Sequence, residues 1–184
     1  NKTLTITISA AGSAPVISSA ATASGTTGVA FSYTITASNS PTSYSAAGLP
    51  TGVAVNTSTG VISGTPSAVG TSTVTLGATN AIGTGNKTLT ITINPPAPAV
   101  TSSLTASGTV GTAFTYTITG SNSPTSYNAT SLPAGLTVAT ATGIISGTPT
   151  GAATTNVTIS ATNAGGTGDG TALDSLGSST FTKA

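Results

Sequence analysis

The residues able to do chemistry in this chain are few. Its 184 residues include three lysines and two aspartates, and no arginine, glutamate, histidine or cysteine. Acid–base and nucleophilic catalysis need groups that titrate or ionise. Without histidine no Ser-His or Cys-His arrangement can be built. The two acids, Asp169 and Asp174, stand together in the stretch GDGTALD. No carboxylate occurs elsewhere, which excludes the paired-carboxylate chemistry of glycosidases there. Asp169 and Asp174 in a Gly-containing loop are weak calcium candidates. Two carboxylates are few for a cation that takes roughly six to eight oxygens, so a solvated loop is the favoured reading. No metal and no cofactor are expected.

Other polar groups admit modification rather than catalysis. A lysine-to-asparagine isopeptide at Lys2, Lys87 or Lys183 would need an adjacent carboxylic acid. Lys2 and Lys87 read more simply as guards of strand edges. Asn1, Asn56, Asn86, Asn128 and Asn156 each open an Asn-x-Ser/Thr triplet, the acceptor pattern for N-glycosylation. A chain this rich in Ser and Thr also produces such triplets by chance. The glycines of GTG and SGTP lack the lysine and the strand–helix context of a phosphate loop, and read as turns. Alternating threonines could order water, but they also suit a half-exposed strand.

Charged residues make up 3% of the chain, against roughly 25% in an ordinary soluble domain. At a formal net charge of +1, no electrostatic field draws in nucleic acid and few aromatics offer stacking. Nothing basic is present to hold an anionic membrane, and no apolar run is long enough to span one. Disorder is the other reading of low charge with many Gly and Ser. Val, Ile and Thr recur in alternation, which argues against it. Starting at Asn1, without a signal peptide, the sequence reads as a processed chain or a piece of a longer one.

The elements that would carry these residues come in two copies. Residues 31–66, FSYTITASNSPTSYSAAGLPTGVAVNTSTGVISGTP, return at 114–149 as FTYTITGSNSPTSYNATSLPAGLTVATATGIISGTP. The offset is 83, and 25 of the 36 positions are identical. Phe31, Tyr33 and Ile35 alternate with Ser32, Thr34 and Thr36, so one face of a strand is apolar. A short strand is expected around Tyr44, then Val53–Val55, a hairpin loop over 56–60, Val61–Ile62, Ser72–Ala78 and a closing strand over 88–93. No stretch has an apolar stripe at helical spacing. Short strands with frequent turns point to an all-β fold: two tandem immunoglobulin-like β-sandwiches joined by a short Pro-rich linker. The expected divisions are residues 1–9 as an orphan strand, 14–94 as the first module, 95–98 as the linker, and 99–184 as the second module with an atypical last strand. Pro95-Pro96-Ala97-Pro98 reads as a semi-rigid spacer.

The segments GLPTGVAVNTSTGVISGTP and SLPAGLTVATATGIISGTP, with the later Thr79-Asn80-Ala81 and Thr162-Asn163-Ala164, resemble the bacterial putative-Ig repeat family of immunoglobulin-like and cadherin-like modules. The resemblance implies an extracellular or cell-surface setting, often in long arrays. It does not imply a particular ligand.

One sequence element has no place within the two copies. Residues 1–8, NKTLTITI, repeat residues 86–93 letter for letter, whereas GDGTALDSLGSSTFTKA stands at the end of the second copy. Two readings stay open. Residues 1–8 could finish a module outside the chain, with Ser178–Lys183 an imperfect final strand of the second copy. Alternatively Leu4, Ile6 and Ile8 form an inter-subunit strand donated to a neighbouring chain, giving a head-to-tail filament. The functional expectation is a non-enzymatic structural subunit of a surface filament or stalk, partnered by copies of itself. The alternative is an adhesin module that binds a glycan or a cell-surface ligand.

Overall fold

The computed structural model describes residues 2–3, 12–152 and 154–169, and the backbone of 178–181. The described elements are all strands, and the chain divides into two units, Asn1–Asn94 and Pro95–Ala184.

In the first unit β1 is Thr22–Thr26, β2 Phe31–Thr34, β3 Ser43–Ala47, β4 Val53–Val55, β5 Val61–Gly64, β6 Gly70–Thr79 and β7 Thr84–Asn94. One sheet has the order β1-β7-β6-β3 and the other β2-β5-β4. Every pairing is antiparallel except β1 with β7, which is parallel. The strands form because apolar residues recur at every second position. Leu89, Ile91 and Ile93 of β7 and Val74, Leu76 and Ala78 of β6 all turn to the same side. Against them lie Phe31, Ile35 and Ile62 from the β2 and β5 side, and all nine are buried. Burying each large aliphatic side chain contributes about 1.5–3 kcal/mol. The loop over 56–60 is held by Asn56, whose Oδ1 accepts from the amides of Ser58 (3.0 Å) and Thr59 (3.1 Å).

The second unit contains β8 (Ala106–Gly108), β9 (Phe114–Thr117), β10 (Ser126–Thr130), β11 (Leu136–Ala139), β12 (Ile144–Gly147), β13 (Thr154–Asn156), β14 (Thr158–Asn163), β15 (Gly166–Asp169) and β16 (Ser178–Phe181). Strands β11-β12-β9 repeat the three-stranded sheet of the first unit. The larger sheet is divided into β10-β14-β15 and β13-β16-β8. Its core gathers Ile118, Ala129, Leu136, Ile145 and Ile159. Ala139 stands where the first unit has Asn56, so that loop keeps the backbone bond from Gly143 N to Ala139 O (2.8 Å) without the side-chain acceptor.

Pro95–Pro98, read from composition as a spacer, falls within the second unit. Two of its carbonyls, those of Pro96 and Ala97, accept hydrogen bonds there.

Candidate functional site

Two asparagines seat the lead-in of each unit. Asn80 Nδ2 donates to the carbonyls of Ser13 and Asn39, both at 2.8 Å, while its Oδ1 accepts from the amides of Ile82 and Gly83. Asn39 Nδ2 in turn donates to Ala14 O at 2.8 Å. The second unit repeats this at the same offset. Asn163 Nδ2 donates to Pro96 O (2.9 Å) and Asn122 O (2.8 Å), and Asn122 Nδ2 donates to Ala97 O (2.8 Å). Asn163 is 7% exposed, so its amide is satisfied almost entirely by protein. The close approach demands glycine. A Cβ on Gly85 would strike Pro15 O, and one on Gly168 would strike Pro98 O. The repeated Thr-Asn-Ala motif carried the family resemblance, but sequence reasoning did not find this role. The matching Ser-Asn-Ser-Pro segments were the available signal.

The second feature is the slot that takes each unit's closing strand. In the first unit β7 lies between β1 and β6. Ile91 is opposite Ala23 and Ser72, and Ile93 is opposite Gly25 and Gly70. Leu89, Ile91 and Ile93 are at most 1% exposed. Gly25 leaves room for its neighbours, since a Cβ there would meet the Phe31 ring at 2.9 Å and the Ile93 δ-methyl at 3.2 Å. In the second unit the slot lies between β8 and β13, and the backbone of β16 occupies it. Ser179 pairs with Ala106 and Thr155, Thr180 with Ser107 and Thr154, and Phe181 with Gly108. One wall is unchanged, because Thr22–Thr26 and Thr105–Thr109 both read TASGT, while on the other Ser72 and Thr73 of β6 are replaced by Thr155 and Asn156 of β13. The occupant is changed: register puts Ser179 where the first unit has Ile91. Around this slot Phe114, Val157 and Val100 are half-buried, whereas their counterparts Phe31, Val74 and Ile17 are buried.

Among the described residues, the remaining candidates are not brought together. Asp169 is exposed on β15 and pairs with Ser160, which pairs with Asn128. That row offers one carboxylate. Among the described residues no group of three or more His, Cys, Asp or Glu could hold a metal. Asp174, Asn1, Leu4, Ile6, Ile8 and Lys183 lie outside the described residues. Lys2 is exposed, and Lys87 Nζ donates to Ser19 O. Asn56, Asn86, Asn128 and Asn156 are all exposed, the last three on strands, while Asn56 Oδ1 is engaged in its turn. No described helix is long and apolar enough to cross a membrane.

The comparisons with known proteins agree with the folded units. A serine-rich adhesin for platelets from Staphylococcus aureus is 36% identical over 126 residues, covering 65% of this chain and 6% of the adhesin. The chain thus spans a small part of the length of that relative. Among solved structures, immunoglobulin domains 1–4 of Sidekick-1 align at a TM-score of 0.57 and 14% identity, over 93% of this chain and 49% of that one. The titin I-band fragment I67–I69 aligns at 0.53 and 13% identity, over 94% and 66%. Both show the fold alone. The family described as "Putative Ig domain" matches twice, at residues 14–94 and 97–182. On that match over both units, the chain belongs to the Putative Ig domain family.

Proposed function

We propose that this chain is a non-catalytic, extracellular pair of immunoglobulin-like modules serving as a structural subunit of a surface stalk or filament. The observation that carries this reading is the repetition itself. Two units of one sequence each close around their own apolar core, and the lead-in of each is tied down by asparagine side chains. Repetition of a self-contained sandwich builds length and exposes hydroxyl-rich strand faces, which suits a spacer outside the cell. The partner in this reading is another copy, joined head to tail, with Leu4, Ile6 and Ile8 as the donated strand. Neither nucleic acid nor membrane insertion has a part in it.

Electron microscopy of the native material, with sedimentation of the purified chain across a concentration series, tests this. Filaments and concentration-dependent oligomers are expected. Strictly monomeric chains at high concentration, with no filament on the cell surface, would overturn it.

A second reading is favoured by the adhesin relative. In it the modules present or form a site for a glycan or another cell-surface ligand. Binding of the purified chain to a glycan array or to intact platelets would support it. Assembly without any such binding would favour the structural reading. N-linked sugars at Asn56, Asn86, Asn128 or Asn156 would be consistent with either, and intact-mass measurement of the native protein would locate them.

A further inference from the structure

We infer that the closing slot of the second unit is an interface for a second copy of this chain, which inserts its residues 1–8 and displaces β16. The inference rests on the head-to-tail reading above and names its surface and its register. The first unit supplies the template. Its residues 86–93, NKTLTITI, fill the slot walled by TASGT, and the same eight residues stand at 1–8. The slot of the second unit has the identical TASGT wall. The edge that β7 pairs with in parallel is therefore repeated in β8, and the register along it is read directly from the first unit. Ile6 comes opposite Ala106, Thr7 opposite Ser107 and Ile8 opposite Gly108, as Ile91, Thr92 and Ile93 stand to Ala23, Ser24 and Gly25.

The present occupant suits the slot less well. At the positions of Ile91 and Ile93, β16 offers Ser179 and Phe181. Gly25 in the first unit leaves space that the Ile93 side chain occupies, and Gly108 repeats that glycine. Phe114 and Val157 are half-buried where their counterparts Phe31 and Val74 are buried. An incoming Leu4, Ile6 and Ile8 would cover them as Leu89, Ile91 and Ile93 cover theirs. Backbone pairing on both edges supplies affinity, and the alternate side chains supply specificity. In this scheme β16 is a placeholder that keeps the slot closed until another chain arrives. The contact is heterologous and does not close on itself, so it propagates.

The chain has no cysteine, which makes disulfide trapping clean. In the full chain, Thr7→Cys with Ser107→Cys should give a ladder of reducible oligomers on oxidation. Thr5→Cys with Ser107→Cys, displaced in register, should give at least tenfold less. Ser107→Cys with Thr180→Cys should trap the monomer with β16 in place. In a chain lacking residues 1–9, a synthetic NKTLTITI peptide in excess should raise the lower melting transition by more than about 5 °C. The same peptide carrying Ile6→Ser should not.

If chains assemble while Thr7→Cys/Ser107→Cys gives no ladder, or if chains lacking residues 1–9 still polymerise, the slot is not the interface, although self-association stands. If no variant assembles and the peptide has no effect, both the slot and the head-to-tail reading fail.

Discussion

In the first module the last strand runs unbroken from Thr84 to Asn94, between β1 and β6. In the second the described strands on the corresponding path are Gly166–Asp169 and Ser178–Phe181, and the described strands of that sheet fall into two groups. The stretch from 31 to 66 differs from its copy at only 11 of 36 positions, which leaves the three-stranded sheets alike. Outside that stretch the units differ along β6, where Ser72 and Thr73 are replaced by Thr155 and Asn156, and most of all in the closing strand. Removing the Leu-Thr-Ile-Thr-Ile pattern from it leaves neighbours such as Phe114 and Val157 less covered, although their own identities are unchanged from Phe31 and Val74. Burial of a core residue here is set as much by the strand laid beside it as by its own type.

The comparison can be broken by exchanging the residues that define it. Ile91→Ser writes the second module's residue into the first. Loss of a buried isoleucine together with burial of an unpartnered hydroxyl should cost about 4 kcal/mol. Calorimetry of the full chain should show the first module's transition falling toward that of the second. A loss below about 1 kcal/mol would mean that the closing strand does not dominate.

The asparagine clamps come next. Asn163→Ala leaves the carbonyls of Pro96 and Asn122 without their donor and should cost the second module about 2 kcal/mol. Asn80→Ala should cost the first less, since Asn80 is only half-buried. Urea denaturation of the two variants gives the ranking, and a larger loss for Asn80→Ala would refute it. Ser179→Ile restores the apolar residue that register calls for. It should raise the second module's stability by about 1.5 kcal/mol. An unchanged lower transition would show that β16 does not bury that position.

The smallest effects are electrostatic. With three lysines and two aspartates in the whole chain, raising the salt concentration has little to screen. Both transitions should move by less than about 0.5 kcal/mol. Millimolar calcium should also leave both in place. A site holding calcium at a hundred times its Kd would add about 2.7 kcal/mol, so a shift of that size would restore Asp169 and Asp174 as ligands.

What could be read from sequence follows the same physics. Phe31-Tyr33-Ile35, Val74-Leu76-Ala78 and Leu89-Ile91-Ile93 announce their strands because alternate burial is a property of each segment by itself. The turn at 56–60 announces itself through Asn56 and Gly60. Strands β1 and β8 could not be read this way. TASGT has no apolar alternation, and becomes a strand only because β7 or β16 pairs with it. Pro95–Pro98 looks like a spacer by composition, and its docking depends on Asn122 and Asn163, which lie far along the chain. The closing slot was legible only in outline. Residues 1–8 matched 86–93 on sight, but the wall they fit and the register across it needed the fold.

The parallel pairing of β1 with β7 has a consequence under tension. When a module is pulled by its two ends, its first and last strands are dragged in opposite directions along their shared ladder. The bonds between them are then loaded together in shear rather than peeled one at a time. Five residues of β1 pair in this way with β7, and three of β8 with β16. A chain pulled by its two ends should therefore release its second module first, paying out extended polypeptide while the first holds. Single-molecule force spectroscopy should record that as two rupture peaks of unequal height.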